Sequence, residues 1–302
     1  MNRRFSVIAS SLDADPRAAA PLARRSGFGA CVLDAYASSL DLTTLSQTGR
    51  RELSRVFASQ DVPLHAVQLS LGNRGLARPE QADPLLAKVV EAIEAAAQLR
   101  VPRLLVDLGP LPAASRPQAP KPPVQRDLAG LILLPSTEET ARFSRDEPPP
   151  AKPADPAFVA RVEAFLGEVA RAADRFGVFV AFSSALAATT SLASAVTSVR
   201  CTWFGYDVDP VASLRDDTSL ESLFDTLSGA IVHARARDAV AGEDRRISPA
   251  VVGRGDVAWR EYLHLLDAAG HADPLCLDPA GLPSPAEAAF AGLKQLTAIA
   301  TS

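Results

Sequence analysis

Residues 155–185 read DPAFVARVEAFLGEVARAADRFGVFVAFSSA, and two periodicities meet inside them. As far as Phe176 the apolar residues Phe158, Val162, Phe165, Val169, Ala173 and Phe176 recur at spacings of four and three. That is one stripe of a helix with 3.6 residues per turn, with polar positions opposite. Asp155 can cap the first turn, Pro156 suits the first helical position, and Gly177 suits the stop. From Val178 the pattern changes to VFVAFSSA (178–185), a short apolar run of strand length. A helix delivered straight into a buried strand is the repeating unit of an α/β fold.

The same alternation extends in both directions. Further strand candidates are RFSVIASSL (4–12), GACVLDAY (29–36), LHAVQLSL (64–71), RLLVDLGPL (103–111), TWFGYDVD (202–209), AIVHARAR (230–237) and PLCLD (274–278). With 178–185 they make eight. DPLLAKVVEAIEAAAQLR repeats the helical plan, with Asp83 and Pro84 opening it and Leu86, Val90, Ile93 and Ala97 expected to face inward. Strands alternating with helices imply parallel pairing and right-handed crossovers. Eight units in 302 residues predict a (β/α)8 TIM barrel forming a single domain over 1–302. An open doubly wound sheet is the rival, and no Gly-rich phosphate turn follows the first strand to support it. One stretch breaks the rhythm: 110–155 is dense in proline and too long for an ordinary βα loop. It is expected to be an insertion after strand 4, at the C-terminal mouth of the barrel. A lid or an oligomer contact is one reading, a loosely ordered decoration the other.

Bulk properties narrow the function. A net charge of −4 and a hydrophobic fraction of 47% supply a large core but no general basic face for nucleic acid. No stretch approaches the roughly 20 apolar residues of a membrane span, and the basic start MNRRFSVIASSLDADP is too briefly apolar for a signal peptide. A soluble cytoplasmic protein is expected. Cys31, Cys201 and Cys276 show no paired spacing and read as reduced buried thiols.

In a barrel, chemistry gathers at the C-terminal strand ends. Here these carry Asp34, Asp107, Ser183, Asp209, His233, Arg235, Asp238 and Asp278. Each Asp alone reads as a loop cap, but four at one mouth read as a site. His65, His264 and His271 are expected away from the mouth, His271 in an exposed loop.

IVHARARDAV (231–240), followed by VVGRGDVAWREYLHLLDAAGHADPLCLD (251–278), resembles the xylose isomerase-like, or sugar phosphate isomerase/epimerase, family of TIM barrels. The family carries a His-x-His strand, a Gly-x-Gly-Asp-x-x-Trp loop and a last strand ending in Glu. The loop is matched by Gly253, Gly255, Asp256 and Trp259. YDVDPVASL (206–214) is similar to the family's sixth strand, and SGFGACVLDAY (26–36) to its second. The resemblance implies a sugar or sugar phosphate as the small-molecule partner. It also implies a divalent ion (Mn²⁺, Mg²⁺ or Zn²⁺) held by Glu, Asp, His and Glu from strands five to eight.

Carried over residue by residue, that ligand set is altered. Ser183 stands at the strand-five Glu, and Asp209 is kept. Ala212 replaces a His three residues further on. His233 keeps the first His of strand seven, Arg235 replaces the metal-binding second, and Asp278 is a shortened Glu. A guanidinium has no lone pair for a metal. Placed between Asp209 and Asp278, Arg235 would neutralise both in the ion's stead.

Two readings of function therefore stay open. One is a non-catalytic sugar-binding or partner-binding relative, a pseudoenzyme without a metal. The other is an active isomerase/epimerase with a weakly held ion on Asp209, His233 and Asp278, and with Asp34 or Asp107 as a base. In either, Arg235, Asp238, Ser183 and Arg254 are the expected substrate-binding residues. Homo-oligomerisation is undecided. The DNA-repair endonuclease branch of the fold, which needs several histidines, fits poorly with four.

Overall fold

The computed structural model describes residues 4–114, 155–227, 229–242 and 246–301. Its strands are β1 (Phe5–Ile8), β2 (Ala30–Asp34), β3 (Leu64–Ser70), β4 (Arg103–Asp107), β5 (Phe179–Ser183), β6 (Phe204–Val208), β7 (Ile231–Ala236), β8 (Asp238–Ala241), β9 (Ile247–Ala250) and β10 (Leu275–Leu277). Eight of them close into a parallel barrel in the order β1-β10-β7-β6-β5-β4-β3-β2. The remaining two, β8 and β9, form an antiparallel hairpin directly after β7. The chain is thus a (β/α)8 TIM barrel. All eight expected strand positions hold, although the first is cut short because Ala9–Ser11 turn into a 3-10 helix.

The outer helices are α1 (Pro16–Ser26), α2 (Gln47–Ser59), α3 (Ala82–Leu99), α4 (Pro156–Phe176), α5 (Thr189–Ser198), α6 (Val211–Asp216), α7 (Leu220–Thr226), α8 (Trp259–Ala268) and α9 (Pro285–Thr301). On α4 the caps are those the sequence indicates: the Asp155 side chain accepts from Ala157 N, and Gly177 takes the left-handed conformation. On α3 the buried face is Val89, Ala92, Ile93, Ala96 and Leu99. The expected stripe of Leu86, Val90 and Ala97 is only partly buried. The insertion expected over 110–155 lies outside the described residues except for its ends.

Inside the barrel Ile8, Val32, Ala66, Leu105, Ala181 and Cys276 form a small apolar cluster of their own. Alternation along a strand sends every second side chain inward. Two residues further along the same six strands stand Ser10, Asp34, Gln68, Asp107, Ser183 and Asp278. All six line one cavity. The apolar layer is therefore the floor of the mouth, and the strand period itself delivers the polar residues above it. No helix among the described residues is long and apolar enough to cross a membrane.

Candidate functional site at the barrel mouth

The mouth holds a cavity of about 540 Å³. One side is built by β6, β7 and β10. Asp207, on β6, is completely buried and accepts from both neighbours: His233 Nδ1 at 2.7 Å on one oxygen, Arg235 Nε at 2.6 Å on the other. Arg235 Nη1 then reaches Asp278 Oδ2 at 2.6 Å. One turn of the alternation higher, Arg237 Nη1 meets Asp209 Oδ2 at 2.8 Å, and its Nε lies 3.9 Å from Asp278. The result is a two-rung ladder of arginines against three aspartates. The Tyr262 hydroxyl on α8 donates towards the carbonyls of Arg235 (3.0 Å) and Val208 (3.2 Å), which ties the ends of β6 and β7 together.

This corrects the sequence expectation in one respect. Arg235 does point into the barrel and does pair with Asp278, but its second partner is Asp207 and not Asp209. The register of β6 on β7 slips between Tyr206 and Asp207, which brings Asp207 opposite His233. Asp209 sits just beyond the strand end, level with Arg237. Asp207 and Arg237 were not among the expected site residues, although alternation puts Arg237 on one face with His233 and Arg235, and Asp207 lies two before Asp209.

The electrostatics follow the geometry. Burial works against a charge on Asp207, but Arg235 and His233 outweigh it and hold the carboxyl well below its ordinary range. Burial opposes the charge of Arg235 too, and Asp207 and Asp278 keep it protonated far above its usual value. For Arg237 the Asp209 carboxylate raises the pKa against burial.

The other side, on β2, β3 and β4, is built differently. Gln68 Nε2 donates to Asp34 Oδ1 at 2.7 Å, and Ser10 Oγ donates to the second oxygen. Asp107 accepts from Ser70 Oγ (3.1 Å), Gly109 N (3.0 Å) and Ala185 N (3.4 Å). No ion pair reaches Asp34 or Asp107 among the described residues. Ser183, at the end of β5, lines the cavity between the two sides.

Several expected site residues stand elsewhere. Asp238 is buried, and its carboxylate collects five donors: Ala239 N, Gly253 N, Gly255 N, Val257 N and Trp259 Nε1, all within 3.2 Å. The Gly-x-Gly-Asp-x-x-Trp loop is therefore folded around Asp238. Gly253 has φ +84°, and a Cβ on Gly255 would sit 2.3 Å from the Asp238 carboxylate. Asp256 closes the same loop by accepting from Ala241 N. Arg254 is exposed and does not line the mouth cavity.

His233 lies beneath the mouth, fully buried, with its ring 5.6 Å from that of His65. His65 is thus in the barrel interior, and burial, with His233 and Arg103 nearby, lowers its pKa to about 3. His271 is buried, contrary to expectation. The cysteines are free, but Cys201 is only half-buried.

A scan against protein-family models finds no match, and neither does a search among curated proteins. Solved structures do match over nearly the whole chain. A xylose isomerase domain protein from Planctomyces limnophilus superposes with a TM-score of 0.71 at 12% identity, covering 99% of this chain and 98% of that one. The D-psicose 3-epimerase of Clostridium cellulolyticum H10, solved with D-tagatose, gives 0.68 at 14% identity, over 98% and 99%. A xylose isomerase-like TIM barrel protein from Mycobacterium smegmatis, in complex with magnesium, gives 0.66 at 12% identity, over 99% and 97%. The chain has the xylose isomerase-like TIM-barrel fold. In this xylose isomerase-like barrel the similarity stops at the fold, and the mouth has to be read from its own residues.

Proposed function

We propose that the barrel mouth binds a sugar or a similar polyhydroxylated small molecule without a divalent metal, the Arg235–Arg237 ladder occupying the place of the ion. The observation that carries this reading is the state of the acidic donors. Each of the six oxygens of Asp207, Asp209 and Asp278 already accepts a hydrogen bond. Asp207 is taken by His233 and Arg235, Asp209 by Val211 N (3.0 Å) and Arg237, and Asp278 by Ala280 N (3.1 Å) and Arg235. An ion entering there would have to displace two guanidiniums, which have no lone pair to offer it. His233 gives its Nδ1 to Asp207, and Ser183 offers a neutral hydroxyl at β5. This donor set does not fit the hard divalent ion that the sequence resemblance implies.

What the ladder offers instead is a rigid, hydrogen-bonding wall. Planar guanidiniums held on two sides keep their geometry, so a ligand hydroxyl meets donors that need little reorganisation. Across the cavity Asp34, Gln68, Ser70 and Asp107 supply acceptors and donors at the spacing of adjacent strands. Ring hydroxyls of a sugar present the same alternation of donor and acceptor. The sugar ligands named for neighbouring structures, D-tagatose among them, support the substrate class by analogy of fold. Binding is the activity proposed. Metal-dependent isomerisation or epimerisation on Asp209, His233 and Asp278 is the competing reading, and the same experiment separates them.

That experiment is metal analysis by mass spectrometry on protein purified without chelator, with thermal shift in Mn²⁺, Mg²⁺, Zn²⁺ and Co²⁺ and a hexose and ketose panel. The expected result is substoichiometric metal, no metal-dependent shift, and stabilisation by at least one sugar. One equivalent of tightly bound metal that disappears in Asp209→Ala would overturn the reading.

A further inference from the structure

The cavity at the mouth carries unequal charge. Among the described residues four aspartates line it (Asp34, Asp107, Asp209 and Asp278) against two arginines, Arg235 and Arg237, and no lysine or histidine. The imbalance is also local. Asp209 and Asp278 each face a guanidinium, and the only further acid on that side, Asp207, lies buried beneath them with Arg235 and His233. Among the described residues Asp34 and Asp107 have only neutral partners, namely two serine hydroxyls, one side-chain amide and two backbone N–H groups. They stand on β2 and β4, on either side of β3, where Asp34 is the register partner of Gln68 and Asp107 that of Ser70.

We infer that the ligand is a cation: an aminated sugar or polyol whose ammonium sits against Asp34 and Asp107 while its hydroxyls meet the arginine ladder. This rests on the proposed reading of the mouth as a polyol-binding cavity. The cavity defines the site, and the two unneutralised carboxylates set the sign of the ligand. The geometry suits an ammonium in particular. Neutral donors hold both carboxylates in place, and both oxygens of Asp34 and Oδ2 of Asp107 keep acceptor capacity beyond the one bond each already makes. A phosphorylated sugar would bring two negative charges against this wall, and the guanidiniums that could answer them are already engaged by Asp207, Asp209 and Asp278. A neutral sugar would leave two carboxylates without a counter-charge as water is displaced, which costs more in a confined site than in bulk water.

The test is calorimetric titration at pH 7 and low salt with three sets of probes: D-glucosamine, D-galactosamine and D-mannosamine; the parent hexoses with their N-acetylated amines; and the hexose 6-phosphates. At least one free amine is expected to bind about five- to tenfold tighter than its own N-acetyl and parent forms, the advantage shrinking as salt is raised. The phosphates are expected to bind weakest. Asp34→Asn and Asp107→Asn should each narrow the amine-to-hexose ratio. Should either variant fold poorly, Gln68→Lys offers a second route. It places a tethered ammonium between the two carboxylates, and is expected to raise the melting temperature and abolish the amine preference. Equal binding of amine and hexose, or a preference for the phosphate, would overturn the inference and leave the polyol reading standing. Failure of every sugar to bind would sink both.

Discussion

The two sides of the barrel mouth use the same residue type to opposite ends. On β6, β7 and β10, aspartates are buried against arginines, and every carboxylate oxygen is committed. On β2 and β4, Asp34 and Asp107 are partly exposed, lean on neutral donors, and keep their charge unmatched among the described residues. The strand period places both sets inward, so alternation alone does not separate them. What separates them is whether the neighbouring strand contributes a cation. β7 supplies Arg235, with Arg237 just past its end, whereas β3 supplies an amide and a hydroxyl. One side is therefore expected to matter for stability and the other for selectivity.

The sharpest way to break that contrast is Arg235→Ala. It strands Asp207, with no side-chain exposure, and Asp278, at 5%, without their shared counter-charge. Removing one partner of a buried ion pair typically costs about 3–5 kcal/mol. A drop of that size in urea denaturation is expected, and Arg235→Lys should recover only part of it, because one ammonium cannot reproduce the guanidinium fork. A loss under about 1 kcal/mol would mean that the ladder is ornamental.

Acidification probes the barrel interior beneath the ladder, where His65 of β3 meets His233 of β7. His65 is held neutral down to about pH 3 by burial, whereas in an unfolded chain an imidazole protonates near 6.5. Between those values the unfolded chain binds the extra proton, so stability falls as pH falls, by up to about 1.4 kcal/mol per pH unit. The carboxyl of Asp207, held below its usual range, adds a loss that begins only as the pH drops below the ordinary carboxylate value. Urea midpoints at pH 7, 6, 5 and 4 should decline throughout, and His65→Leu should flatten the upper part of that slope. A midpoint unchanged from pH 7 to 5 in the native sequence would contradict the buried placement of His65.

Much of this architecture could be read in the sequence, and the failures are instructive. The eight strands and the capped helix from Asp155 to Gly177 follow from periodicity and end signals, which are local, whereas the pairing of Arg235 with Asp278 was expected only through the family resemblance. Asp207 was missed because it sits in the middle of FGYDV, where a charge looks like the polar half of an alternating strand until the strand opposite is known. Alternation does put Arg237 on one face with His233 and Arg235, but its partner, Asp209, comes from the neighbouring strand's end and is not announced locally. The hairpin of β8 and β9 was missed, as was the way Asp238, at its start, gathers the Gly253–Trp259 loop, a contact that no local pattern announces. The loop that most clearly resembles a known family thus serves the fold around Asp238, while Ser183 and Arg235, at which the sequence differs from the resembled pattern, line the mouth.

Arg237 lies between the two regimes. Its side chain is a quarter exposed and that of Asp209 about a sixth, so solvent screens the pair. Arg237→Gln is expected to cost about 1 kcal/mol or less, measured by the same denaturation series. A cost as large as that of Arg235→Ala would extend the sealed side up to the rim and leave less of the mouth for a ligand.

The smallest effect is the one that the contrast most depends on. Asp34→Asn and Asp107→Asn keep the side-chain shape and an amide oxygen for Gln68 or Gly109, with the new NH2 facing the Ser10 or Ser70 hydroxyl, which can turn to accept, while each removes one of two negative charges left uncompensated among the described residues. Their stability should stay within about 0.5 kcal/mol of the native chain, as for surface substitutions that break no buried network. Self-repulsion between the acids favours a slight gain over a loss. Asp207→Asn, equally conservative in shape, should cost severalfold more, because it leaves Arg235 and His233 facing a neutral group in a buried site. Comparing these three variants by urea denaturation holds the chemistry of the substitution constant and varies only the neighbouring strand. If all three cost the same, the side of the mouth is irrelevant and the division between a structural ladder and a ligand-selecting wall fails. If only Asp207→Asn is costly, the carboxylates of β2 and β4 are retained for something other than the fold.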